Sequence, residues 1–140
     1  MLIDDDEPTN FISSMLIEEA GCTEHIHVVQ SGQAALNYLL KCGHSEVPDK
    51  NCPIPDLIFL DINMPAMNGW EFLHKYNELN NKKKNEIVII MLTTSLNPDD
   101  RLKAGETIEV SDFESKPLTK GKLNRVLRKY FNDYFPTINK

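Results

Sequence analysis

Little in this chain suits a disulfide scaffold or a structural zinc site. Its three cysteines, Cys22, Cys42 and Cys52, are odd in number and form no CxxC pair. Free thiols in a reducing cytoplasm are therefore expected. The four histidines, His25, His27, His44 and His74, lack a metal-ligand spacing. No apolar run nears membrane-spanning length and no signal-peptide pattern opens the sequence, so membrane insertion is not expected. Nor is the chain basic: a net charge of −6 argues against direct nucleic-acid binding. Residues 80–85, with Lys82, Lys83 and Lys84 together, read as a solvated loop. What is present, 140 residues at 41% apolar and 26% charged, is the composition of one globular domain spanning 1–140.

The apolar pattern predicts five strands alternating with five helices. Met1 to Ile3 leads into the acidic run Asp4-Asp5-Asp6-Glu7 and reads as the end of a strand. Thr9 or Asn10 is the expected cap of a first helix carrying Phe11, Ile12, Met15, Leu16 and Ala20, with Gly21 as its stop. His25 to Val29 reads as a second strand, with both histidines on one face. Gln33 to Leu40 follows as a helix whose inner face is Ala35, Leu36, Leu39 and Leu40. Residues 43–55 read as a surface loop. Leu57 to Leu60 is a strand, and near Gly69 begins a helix with Phe72, Leu73, Tyr76 and Leu79 inward. Ile87 to Leu92 is a strongly apolar strand. Pro98, Asp99 and Asp100 open a short helix, and Ile108 to Phe113 is a weaker strand. Leu123, Val126, Leu127, Tyr130, Phe131 and Tyr134 form an amphipathic stripe on a final helix. Such alternation implies a doubly wound α/β fold, a parallel sheet with helices on both faces.

In a parallel sheet the strand ends share one edge, where open α/β folds place their ligands. Asp4 and Asp5, Asp61, Thr93 and Lys116 all follow successive strands and so gather around one crevice. Clustered carboxylates repel unless a cation sits among them, and hard oxygen donors favour magnesium over zinc. A phosphoryl group entering there would meet Mg2+, the Thr93 hydroxyl and the Lys116 ammonium, leaving Asp61 as an oxygen nucleophile. Taken singly, each feature has a plainer reading. An acidic run is usually a solvated turn, Thr-Thr-Ser a helix cap, Lys-Pro a turn, and Phe113 a core aromatic. The ordered set is what favours chemistry.

That set resembles the receiver domain of two-component response regulators over essentially the whole chain. It is carried by Leu-Ile-Asp-Asp-Asp, Phe-Leu-Asp-Ile-Asn-Met-Pro-Ala-Met-Asn-Gly, Met-Leu-Thr-Thr-Ser and Ser-Lys-Pro. The resemblance implies a flavodoxin-like sheet of order 2-1-3-4-5. It makes Asp61 the acceptor of phosphate from a sensor histidine kinase or a histidine phosphotransfer protein. Asp5 would be a direct magnesium ligand and Asp4 a water-mediated one, with Asp61 and the Asn63 carbonyl completing the set; counting back from Gly21 favours Asp4 and Asp5 over Asp5 and Asp6. Thr93 and Lys116 would meet the phosphoryl group. Phe113 is the implied switch aromatic, Asn63 and Ser95 would tune hydrolysis, and Pro117 would follow a cis bond. A stand-alone receiver would signal by changing the binding of a downstream protein at the face of helix four, strand five and helix five. The competing readings are a magnesium-dependent phosphohydrolase and a binding module with a vestigial site. The first wants a second carboxylate two residues after the nucleophile, where this chain has Asn63.

Overall fold

The computed structural model describes residues 1–42, 50–79 and 86–133. Its elements run β1 (Leu2–Ile3), α1 (Glu7–Ala20), β2 (Val28–Val29), α2 (Gly32–Cys42), β3 (Leu57–Leu60), α3 (Gly69–Asn77), β4 (Val88–Thr93), α4 (Pro98–Glu106), β5 (Asp112–Ser115) and α5 (Lys120–Tyr130). All five strands are parallel, in the order β2-β1-β3-β4-β5. The doubly wound expectation is met.

Side chains on the strands alternate between faces, so each strand feeds two cores. Ile58, Leu60, Ile89 and Met91 pack with Ala35, Leu36, Leu39, Phe72, Leu73 and Tyr76 from α2 and α3. Phe59, Ile90 and Leu92 pack with Ile17, Leu123, Val126 and Leu127 from α1 and α5. The uninterrupted apolar runs of β3 and β4 follow from this double burial.

Several details differ from expectation. Helix α1 begins at Glu7, and its cap is Asp6, whose carboxylate accepts from the Thr9 amide at 3.1 Å. A proline at the second helical position and an acid at the first suit that start. The α1 stripe of Phe11, Ile12 and Met15 faces solvent, whereas Asn10, Ser13 and Ile17 face the sheet. Strand β2 holds only Val28 and Val29, and His27 precedes it with its ring 4.1 Å from that of Tyr38. Leu40 is exposed. Strand β5 lies later than Ile108 to Phe113, because Ile108 sits in a turn and is 97% exposed. Contrary to the expectation of free thiols, Cys42 and Cys52 form a disulfide. The end of α2 and the approach to β3 bring their Cα atoms to 5.4 Å, a proximity set by the fold and invisible in residue spacing. Tyr134, the lysine-rich run 80–85 and residues 43–49 of the stretch expected as a surface loop lie outside the described residues.

Gly69 is where α3 meets the sheet edge. Its amide donates to the Ile62 carbonyl at 2.7 Å, and a Cβ built there would lie 2.6 Å from the Asp61 carbonyl oxygen and 3.0 Å from Ile62 Cα. Backbone on both sides leaves no flexible neighbour to yield. Gly69→Ala is therefore expected to destabilise the fold by about 1–3 kcal/mol in urea unfolding. Gly105→Ala, in open space on α4, should be neutral or stabilise by about 0.5–1 kcal/mol.

Candidate functional site

The last ladder bonds of the sheet deliver the predicted residues to one place. The Asp4 amide donates to Val29 at 3.2 Å, the Asp61 amide to Ile3 at 2.9 Å, and the Lys116 amide to Thr93 at 2.9 Å. Each of these side chains thus starts from a residue whose own amide is pinned to the neighbouring strand. Carboxylate oxygens of Asp4, Asp5 and Asp61 come within 4.8 Å of one another. Asp4 and Asp61 are buried and Asp5 is exposed. Lys116 reaches over this group, its Nζ 2.5 Å from Asp4 Oδ2 and 3.4 Å from Asp61 Oδ1. The Asn63 amide, also 3.4 Å away, points at the same Asp61 oxygen.

The third aspartate of the acidic run serves the helix. As the α1 cap, Asp6 takes hydrogen bonds from the hydroxyl and amide of Thr9, and the hydroxyl above all holds its carboxyl below the usual range. Asp4 and Asp5 are left to face Asp61. Asp4 is steadied twice more, by the Asp6 amide on Oδ1 at 2.9 Å and by Asn10, whose Nδ2 donates to the Asp4 carbonyl at 2.8 Å. Sequence reading assigned Asn10 only a capping role. Its signal was present in the helical spacing of Asn10, Ser13 and Ile17, the set that is buried.

Thr93 is fully buried at the end of β4, and its Oγ1 accepts from the Ser95 amide at 3.1 Å. Phe113 on β5 is half-buried, with the Arg101 guanidinium 5.6 Å from its ring centroid. The Lys116–Pro117 bond is cis. Every residue singled out for the site lies on this one edge of the sheet or immediately behind it.

Electrostatically the site is short of positive charge. Burial, then the Asp4 carboxylate, push the Asp61 pKa up against the opposing pull of Lys116 and the Asn63 amide. Burial lowers the Lys116 pKa, but the hydrogen bond and charge of Asp4, joined by Asp61, outweigh it and leave the ammonium above its ordinary range. Three carboxylate oxygens this close, with two of the carboxylates buried, are the donor set of a hard divalent cation, so the residues fit magnesium.

A sheet of this order with ligand-bearing groups at its carboxyl edge defines a flavodoxin-like doubly wound protein. The profile of the response regulator receiver domain matches residues 1–128, and the chain belongs to that family. The crystal structure of a two-component response regulator from Cytophaga hutchinsonii, 36% identical, superposes with a TM-score of 0.81 over 94% of each chain. Response regulator Rcp1 of Synechocystis sp. is 28% identical over 106 residues, 76% of this chain and 68% of its own length. A structure of the Mn(2+)-bound form of Rcp1 gives a TM-score of 0.62 at 27% identity, covering 95% of this chain and 93% of that one. Hybrid signal transduction histidine kinase L of Dictyostelium discoideum is 28% identical over 131 residues, 93% of this chain but 7% of the kinase. Receivers are signalling domains, for which phosphorylation on aspartate and dependence on Mg2+ are general properties. Among the described residues no helix is long and apolar enough to cross a membrane.

The sign of the Asp61 shift yields a test. A carboxyl whose folded pKa is raised binds its proton more readily in the native state than in the unfolded chain. Its contribution is then most favourable in acid and is lost as pH climbs from the ordinary carboxylate range through the raised folded value. At neutral pH without divalent ions, Asp61→Asn should melt a few degrees above wild type, and the gap should close below about pH 4. Added Mg2+ should raise the wild-type melting temperature preferentially. A variant melting at or below wild type at neutral pH would contradict the crowding.

Proposed function

We propose that this protein is a receiver that takes a phosphoryl group onto Asp61 and signals by changing its partner binding. The observation that carries the reading is the convergence of Asp4, Asp5 and Asp61 within 4.8 Å beneath the Lys116 ammonium. The donor is a sensor histidine kinase or a histidine phosphotransfer protein. An Asp61 oxygen attacks phosphorus, the Asp61–phosphorus bond forms as the donor's phosphorus–nitrogen bond breaks, and the electron pair stays on the imidazole nitrogen.

Asp5, Asp61 and the Asn63 carbonyl would hold Mg2+, with Asp4 acting through water. When bound, the ion neutralises charge on the phosphoryl oxygens and on the acids. Lys116 pairs with a phosphoryl oxygen, and its position between Asp4 and Asp61 already supports that role. Thr93 turns its hydroxyl from the Ser95 amide toward the new group. Phe113 moves into the space released, so α4, β5 and α5 present an altered face to a downstream protein. The added charge is about −1.5 to −2, by analogy with phosphorylated hydroxyl residues. The result is a population shift between two packings. Residues 1–140 form one receiver domain that acts in the cytoplasm, turns over no separate substrate beyond phosphorylating and dephosphorylating itself, and binds no nucleic acid directly.

Incubation with acetyl phosphate and Mg2+ should add the mass of one phosphoryl group, with acetate as the leaving group. The gain should vanish in Asp61→Asn and with excess chelator. Lys116→Ala should still take phosphate on the aspartate by mass but lose the shift of the Phe113 amide resonance. Wild-type protein with unchanged mass would overturn the reading.

A further inference from the structure

Helix α4 is thinly attached to the body. Ala104 is its one buried residue, and Leu102 is exposed. Its amino end is held by polar contacts. The indole Nε1 of Trp70, the first residue of α3 after Gly69, donates to Asp100 Oδ1 at 3.2 Å. The other Asp100 oxygen accepts from the Ser95 hydroxyl. The Ser95 hydroxyl in turn accepts from the Asn97 amide at 3.3 Å, and the Ser95 amide donates to Thr93 Oγ1 at 3.1 Å. One turn along α4, the Lys103 ammonium lies 4.8 Å from the centroid of the Trp70 ring. Trp70 therefore lies between a carboxylate and an ammonium of the same helix.

The two ends of this chain of contacts differ in firmness. Gly69 is wedged against the Asp61 carbonyl and hydrogen-bonded to Ile62, so Trp70 stands on backbone packed against the end of β3. The far end is the segment 94–97, which carries the amide that holds the Thr93 hydroxyl. The Thr93 hydroxyl oxygen accepts from the Ser95 amide, and Ser95 is tied through Asp100 to Trp70, so this chain of contacts resists a shift of Thr93 toward a phosphoryl group.

We propose that Trp70 is a positioning residue for phosphoryl transfer: through Asp100 and Ser95 it clamps the β4–α4 segment in the geometry in which the Thr93 hydroxyl accepts from the Ser95 amide. The inference rests on Asp61 being the phosphoacceptor. A carboxylate shared between two donors transmits the restraint, since releasing either donor loosens the other. The clamp acts on Thr93 and makes no contact with the reacting atoms. Breaking it favours the rearranged state before any phosphate arrives, which speeds acceptance and slows the return.

Trp70→Phe keeps the ring and removes the donor. Under saturating Mg2+ and fixed acetyl phosphate, its phosphorylation rate by intact mass should exceed wild type by roughly 3- to 10-fold. Asp100→Asn should do likewise, and the double variant should add little to either. Without donor, the Ser95 amide resonance of each variant should move along the line joining free and beryllofluoride-saturated wild type, a displacement that simple loosening of packing would not produce. Wild type that accepts phosphate while both folded variants match its rate and resonance position overturns the clamp alone. Additive rate effects in the double variant overturn it as well. Wild type that accepts no phosphate overturns the phosphoacceptor reading, and the clamp with it.

Discussion

The structure depends on one constraint: parallel strands that end in register leave their next residues facing one another. Asp4, Asp61 and Lys116 each have their own backbone amide fixed to the neighbouring strand, which removes backbone freedom that would otherwise be lost on assembling the group. Concentrating acids in this way is unfavourable by itself. The Lys116 ammonium between Asp4 and Asp61 offsets part of the repulsion, while burial first, and then the Asp4 charge, push the Asp61 pKa up. The donor atoms left facing one another are those a hard divalent cation would take.

Around this edge the supporting contacts sort into rigid and yielding ones. Gly69, pressed on the Asp61 carbonyl, and Asn10, bonded to the Asp4 carbonyl, hold the acidic side through buried backbone. The Thr93 side is held by hydrogen bonds among Ser95, Asp100 and Trp70 and by a helix with a single buried residue. A site built this way has its acids fixed by buried backbone and its far wall fixed by fewer, polar contacts. Phe113, half-buried beneath Arg101, lies on that far wall.

Much of this was legible in the sequence. Strand β3 was read to the residue because an unbroken apolar run stopped at a carboxylate, a pattern that double burial enforces. The convergence of Asp4, Asp5, Asp61 and Lys116 is legible from their order at strand ends, which needs only topology. The start of α1 was misplaced because three adjacent acids offered no local reason to make Asp6 the cap. Strand β5 was displaced because Ile108 carries a strand-like side chain in a turn, while the true strand, Asp112 to Ser115, is half-exposed and polar. The Cys42–Cys52 pair and the Trp70–Asp100 bond join elements brought together by folding, and no local spacing announces such meetings.

Helix α1 wears its sides reversed, with an amide and a hydroxyl turned to the sheet and Phe11, Ile12 and Met15 turned to water. Neighbouring positions on one rigid rod cannot move independently. Phe11 on the outer side is thus one residue from Asn10, whose side-chain amide fastens the Asp4 carbonyl, so the wet face of α1 and the backbone of an acid share a single anchor.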